Sequence, residues 1–193
     1  APGGSKDWIG VYRMGHTPSV ENSTKWAYTP AASGTVSFSG LGKGYYFAAF
    51  FLNDAYTEAS DRIFFSVGDE IAQVSLAKQR FQPGEDMTVY FSNGPGHPKD
   101  YIGVFEKDAL PGQTGSELVH YSYFDGAVNG NVTITQDIPQ GVYFLAMYHN
   151  DSYDQVSNRT CFVVGDGPGC EPEATLSASK KTYVAGEAVS LTW

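Results

Sequence analysis

The feature that most constrains this chain is an internal repeat. The stretch Gly44-Tyr-Tyr-Phe-Ala-Ala-Phe-Phe-Leu-Asn-Asp-Ala-Tyr56 returns as Gly141-Val-Tyr-Phe-Leu-Ala-Met-Tyr-His-Asn-Asp-Ser-Tyr153, a constant 97 positions later. The register holds as far as Gly68-Asp69 and Gly165-Asp166. Self-similarity at a fixed period means repeated structural units, each with its own core. Upstream, Lys6-Asp7-Trp8-Ile9-Gly10-Val11-Tyr12 answers Lys99-Asp100-Tyr101-Ile102-Gly103-Val104-Phe105 at an offset of 93, so the connections between matched segments differ by a few residues. Strands are kept and loops drift.

A third match fixes the unit. Lys78-Gln-Arg-Phe-Gln-Pro-Gly-Glu-Asp-Met-Thr-Val-Tyr-Phe91 reappears as Lys180-Lys-Thr-Tyr-Val-Ala-Gly-Glu-Ala-Val-Ser-Leu-Thr-Trp193. Only the middle copy, 70–166, is therefore complete. The first copy, 1–69, begins at its third element, and residues 174–193, after a linker at 167–173, supply only the first two elements of another.

Aromatic and β-branched residues alternate in short runs between turn-forming residues, and no segment has a convincing helical period. In the first copy these runs are 7–13, 25–28, 35–38, 44–52 and 62–67. In the middle copy they lie near 72–79, 86–91, 100–106, 118–124, 131–136, 141–149 and 159–164. The expected fold class is all-β: tandem seven-stranded antiparallel sandwiches of immunoglobulin or fibronectin type III kind, the first lacking its first two strands. Trp8 and Ile9 cannot both face one core, and Gly10 points to a bulge or a close approach there.

A sandwich missing two strands exposes sheet edge and core side chains, so something must fill the gap. The 167–173 linker spans at most ~24 Å at ~3.4 Å per residue, less than the length of a sandwich set end to end with its neighbour. The 174–193 hairpin is therefore expected to complete the first copy of another unit, with Val189, Leu191 and Trp193 as the inter-unit strand. Donor-strand pairing between separate chains and covalent tandem repetition both give a head-to-tail filament or stalk. This makes a structural extracellular glycoprotein, partnered by copies of itself, the leading expectation. The alternative is an accessory module that binds carbohydrate or protein.

Charge narrows the partners. With 12 Lys and Arg against 21 Asp and Glu, the net charge is −9 and no basic stripe is available for nucleic acid. No apolar run approaches the ~18 residues of a membrane span. Four sequons, at Asn22, Asn131, Asn150 and Asn158, point to N-linked glycans and to the outside of the cell. The two cysteines, Cys161 and Cys170, lie nine residues apart with Gly and Pro between them, which suits a bridge from the last strand to the linker. A reduced pair and an inter-chain link are the alternatives.

The recurrent polar signature is Asn53-Asp54-x-Tyr56-x3-Ser60-Asp61-Arg62, repeated as Asn150-Asp151-x-Tyr153-x3-Ser157-Asn158-Arg159. Asp54, Asp61 and Asp151 are weak calcium candidates. The simpler reading is that Asn-Asp sets a turn while the second Asp pairs with Arg. His16, His97, His120 and His149 occupy different positions in the two copies, and no nucleophile elbow or metal motif is present. No catalytic residue, cofactor or metal is expected, and the chain is not expected to be an enzyme. Trp26 and Tyr123 could stack on a sugar if exposed, but in short alternating strands such residues read as core.

The segments Asp7-Trp8-Ile9-Gly10-Val11-Tyr12 and Asp100-Tyr101-Ile102-Gly103-Val104-Phe105, with the later Gly-x-Tyr-Phe strand, resemble the β-sandwich domain that precedes the catalytic domain of plant-type purple acid phosphatases, and more loosely the SKICH domain. The resemblance covers about a third of each copy. It implies a non-catalytic immunoglobulin-like module, because the phosphatase's metal ligands have no counterpart in this chain.

Overall fold

The computed structural model describes residues 3–113, 118–135, 138–170 and 174–193. These fall into two compact units, Ala1–Ile71 with Pro172–Trp193, and Ala72–Glu171. Among the described residues there is no helix, and thus none long and apolar enough to cross a membrane. Residues 171–173 of the expected linker, and residue 136 at the end of an expected strand, lie outside the described residues.

The first unit opens with β1 (Trp8–Arg13), β2 (Lys25–Tyr28), β3 (Thr35–Phe38), β4 (Gly44–Phe51) and β5 (Ile63–Val67). The second unit follows as β6 (Gln73–Leu76), β7 (Arg80–Phe81), β8 (Met87–Ser92), β9 (Tyr101–Glu106), β10 (His120–Tyr123), β11 (Gly130–Ile134), β12 (Gly141–Tyr148) and β13 (Thr160–Val164). The tail adds β14 (Ser177–Ala178), β15 (Thr182–Tyr183) and β16 (Val189–Thr192).

The second unit has a five-stranded sheet in the order β10-β9-β12-β13-β7 and a three-stranded sheet β11-β8-β6. Its first expected strand, 72–79, is shortened to β6, which runs antiparallel to β8, and just beyond that range the unexpected β7 runs parallel to β13 in the other sheet. The count in each unit is therefore eight short strands where seven were expected. Between the sheets lies a core of alternating residues that includes Val89, Ile102, Val104, Leu145, Met147 and Phe162.

The first unit has the same two sheets, β2-β1-β4-β5-β15 and β3-β16-β14. Element for element the order matches, but its first three strands come from the end of the chain. The first unit is a circular permutant of the second. This corrects the expectation that 174–193 serves a different unit: the strands absent from the first copy are supplied by the same chain. β16 pairs antiparallel with β3, Leu191 opposite Val36 and Val189 opposite Phe38. β15 runs parallel to β5. The reach estimate compared the linker with the whole length of a sandwich. The tail has only to arrive beside Ser60, where the Ala174 amide donates to the Ala59 carbonyl at 2.6 Å.

The alternation expected of the final strand holds with this corrected partner. Val189 and Leu191 are fully buried among Ile9, Val11, Phe50 and Phe65. On the other face Ser190 and Thr192 meet the hydroxyls of Ser37 and Thr35 at 2.9 and 3.1 Å. Trp193 packs partly buried at the edge of this core, and its indole N–H donates to the Ala31 carbonyl. Each buried aliphatic side chain contributes about 1.5–3 kcal/mol relative to exposure, so the tail is integral to the first core.

Both faces of β1 are covered. Ile9 and Val11 enter the inter-sheet core, while Trp8 and Tyr12 join Phe47, Phe51 and Phe64 in a second aromatic cluster on the outer face. Trp8 and Ile9 thus face opposite ways, as alternation demands, yet both are buried. Tyr101, Phe105, Phe144 and Tyr148 form the matching outer cluster of the second unit. The pairing of β1 with β2 and β4 runs without a bulge through Gly10. A Cβ added there would lie 2.6 Å from the Tyr12 ring and 2.8 Å from the Trp8 ring, so the glycine serves close approach.

Candidate functional site

The outer face of β1 continues onto the edge strand β2. Register places Trp26 opposite Gly10 and Tyr28 opposite Trp8. Because β2 alternates and Ala27 faces the inter-sheet core, Trp26 and Tyr28 must share the outer side. There they are exposed, Trp26 at 55%. Their rings meet edge to face at 5.1 Å, a favoured aromatic geometry. Trp26 is thus not a core residue, and neither is Tyr123 at 41%. Edge strands lack a second neighbour to cover their outer side chains.

The tight turn after β4 brings a carboxylate to these rings. Asn53 and Asp54 both have positive φ, 53° and 60°, and the Ala55 amide donates to the Leu52 carbonyl at 2.9 Å. This is a type I′ turn, for which Asn and Asp are suited. Its position is set from inside by Asp7. That buried carboxylate accepts from the backbone amides of Gly4 at 2.7 Å and Asn53 at 3.1 Å, joining the approach to β1 to the turn. The turn so held points Asp54 at Tyr28, whose hydroxyl donates to Oδ1 at 2.6 Å, and at Lys6, whose ammonium lies 3.0 Å from Oδ2. The Tyr28 hydroxyl and then the Lys6 ammonium hold the Asp54 carboxyl below the usual carboxylate range. The same bond raises the phenol of Tyr28.

Together these residues enclose a cleft of about 260 Å³. Trp8 contributes to its floor, stacked on Phe51 at 4.3 Å with its indole N–H donating to the Ala55 carbonyl. Trp26, Tyr28, Tyr56, Asp54, Asn22 and Ser23 line the rest of it.

The second unit builds the same arrangement from different residues. Tyr121 and Tyr123 replace Trp26 and Tyr28 on the edge strand, their rings 5.4 Å apart. Asn150 and Asp151 form the turn with φ of 46° and 59°. Asp151 accepts the Tyr123 hydroxyl and pairs with Lys99 at 2.6 Å. That bond pushes the Tyr123 phenol up to about 12. Buried Asp100 takes the role of Asp7, accepting from the amides of His97 and Asn150. Exposed Tyr153 corresponds to Tyr56.

The other sequence candidates are placed as follows. Asp54 and Asp151 direct their oxygens to a tyrosine and a lysine each, and the described residues contain no group of three His, Cys, Asp or Glu arranged to hold a metal. The expected pairing of Asp61 with Arg62 is replaced: Arg62 makes a bidentate contact with Glu58 and lies 4.3 Å above the Phe47 ring. The Ser60 hydroxyl accepts the Phe50 amide, and Ser157 does the same for Met147, which accounts for the recurrent serine. His97 and His149 are not isolated, as their scatter in sequence suggested. Their rings meet at 5.3 Å, and His149 Nδ1 lies 2.9 Å from the buried Asp100 carboxylate.

Cys161 and Cys170 form a disulfide, with Cα atoms 5.9 Å apart. Among the sequons, Asn22, Asn131 and Asn150 are exposed. Asn158 is half-buried and clamps β6: its side chain accepts from the Val74 amide at 2.9 Å and donates to the Val74 carbonyl at 3.0 Å. The chemistry available in the cleft is that of recognition. An exposed aromatic face can pack on the apolar face of a planar or cyclic ligand, while the carboxylate and the Asn22 amide can hydrogen-bond its polar groups. Compared with known proteins, the chain matches no family model and no curated sequence.

Proposed function

We propose that this chain is an extracellular, non-catalytic carbohydrate-binding protein made of two immunoglobulin- or fibronectin III-like sandwiches. The observation that carries this reading is the recurrence of an exposed aromatic pair bonded to a turn carboxylate, Trp26, Tyr28 and Asp54 in one unit and Tyr121, Tyr123 and Asp151 in the other. Rings needed only for packing would be buried, as Trp8 and Tyr101 are. Exposed aromatics grouped beside polar groups in a cleft are the usual composition of a ligand site.

The opposition of a three-stranded antiparallel sheet and a five-stranded sheet that is antiparallel except at its β7 or β15 edge supports the immunoglobulin or fibronectin III assignment. The resemblance of Asp7–Tyr12 and Asp100–Phe105 to a non-catalytic phosphatase domain is in keeping with it. The disulfide and three exposed sequons support an extracellular location. The filament reading rested on an unfilled first unit, and with that unit closed by its own tail we place binding ahead of assembly.

A glycan array tests the proposal. Wild-type protein should retain a defined subset of saccharides, and Trp26→Ala with Tyr123→Ala should abolish retention while leaving the fold intact. Retention of no saccharide by the wild type, or equal retention by the double variant, would overturn it.

A further inference from the structure

Asn22 belongs both to a sequon, Asn22-Ser23-Thr24, and to the wall of the aromatic cleft. It is exposed, and it lines the same cleft as Trp26, Tyr28 and Asp54. A glycan attached to its Nδ2 would begin with an N-acetylglucosamine already at the mouth of a site suited to a sugar. At about 260 Å³ the cleft is near the low end of small-ligand pockets, ~300 Å³, a size in keeping with a single sugar ring.

The flanking geometry keeps that ring near. The Thr24 amide donates to the Val11 carbonyl at 2.7 Å, tying the segment beside Asn22 to β1 immediately before β2 begins. Trp26 follows four residues after Asn22 and is fixed on the outer face by its register with Gly10. A short tether raises the effective concentration of an attached ligand to about the millimolar range, which favours its contact over that of a dilute external sugar.

We propose that the first unit's cleft recognises N-acetylglucosamine and that, in the glycosylated protein, its occupant is the proximal sugar of the chain's own glycan on Asn22. This rests on the carbohydrate-binding reading and adds to it a ligand class and a built-in competitor. The sugar's C–H face lies on Trp26, its acetamido methyl lies against the aromatic side, and a hydroxyl donates to Asp54. The second unit differs. Glu117, the residue that precedes Tyr121 by the same interval as Asn22 precedes Trp26, is in no sequon. Glycosylation at Asn22 therefore closes the first site and leaves the second to external ligand.

Two measurements on the full chain from a glycosylating host decide the matter. Peptide mapping should find glycan on Asn22, and the acetamide methyl resonance of its proximal sugar should be displaced upfield by the Trp26 ring current, returning to its free position in Trp26→Ala. An unoccupied Asn22, or an undisplaced methyl, would overturn the inference whatever the glycan array shows. In parallel, tryptophan fluorescence is titrated with N,N′-diacetylchitobiose. Thr24→Ala, which removes the sequon but keeps the Asn22 amide, should show saturable quenching at least tenfold stronger than the glycosylated wild type, whereas Asn131→Gln should behave as wild type. Equal quenching in wild type and Thr24→Ala would refute self-occupancy. A displaced methyl together with an array that retains nothing would instead refute binding of external carbohydrate and leave self-occupancy standing.

Discussion

Truncating Leu191 to alanine should unfold the first unit well before the second. Leu191 is fully buried in the core between the two sheets of that unit and sits opposite Val36 in the β16–β3 pairing. A Leu→Ala change at such a site costs about 2–5 kcal/mol, the lost transfer energy plus a cavity the sheets cannot close. Against a total of about 5–15 kcal/mol for a domain, this is a large fraction. With a urea slope of about 1.5–2 kcal/mol per molar, the midpoint should fall by about 1–3 M. All three tryptophans, Trp8, Trp26 and Trp193, belong to the first unit, so tryptophan emission reports its unfolding alone. Because the tail closes its own unit, the wild-type midpoint should not change on about a hundredfold dilution. A hairpin donated between molecules would give a concentration-dependent midpoint. Such a dependence, or a Leu191→Ala midpoint equal to wild type, would refute the intramolecular closure.

Three further outcomes follow from the structure. In Thr24→Ala protein, whose first cleft carries no glycan, adding Trp26→Ala should lower saccharide binding by that cleft at least tenfold while changing stability by no more than about 0.5 kcal/mol, as expected of an exposed side chain; a thermal melt beside the binding assay checks both. Asp54 has a lowered pKa, so its ionised form, and the Tyr28 and Lys6 contacts it makes, persist as pH falls through the ordinary carboxylate value near ~3.9 and are lost only below it. Binding by the glycan-free first cleft should therefore be level from neutral to mildly acidic pH, and an Asp54→Asn variant should bind more weakly there without that acid limb. Removing the bridge with Cys161→Ala and Cys170→Ala frees a loop of nine residues and should destabilise the second unit by about 2.5 kcal/mol. Circular dichroism in urea should show this loss while the tryptophan transition stays in place.

Much of the architecture was legible because its signals are local. Gly84-Glu85 and Gly186-Glu187 mark the same hairpin, in which the glutamate accepts a turn amide, from Gln82 in one copy and Val184 in the other. The tail could thus be recognised as a pair of first strands. Which molecule it completes was not legible, since β16 joins β3 through backbone bonds that no residue type encodes. The separate β7 was hidden for a similar reason: the chain changes sheet between Leu76 and Arg80 without a run of turn residues.

At the candidate site, alternation in a four-residue strand shows that Trp26 and Tyr28 share a face but not whether that face is covered. The signal that was available is the pair Gly10 and Gly103, each the residue opposite an exposed ring on an edge strand. The Asn-Asp turn was readable from its residue types. The contact from Asp54 to Tyr28, 26 residues away, is made by tertiary placement and has no local trace. The same holds for His97 and His149, which come together only because Asp100 ties the ends of two connections.

The account stands most directly on whether the exposed rings bind sugar. Calorimetric titration of an array-selected oligosaccharide into wild-type protein and into the Trp26→Ala, Tyr123→Ala double variant measures this. The account predicts saturable heat in the wild type and none in the variant. Equal heats in the two proteins would contradict it.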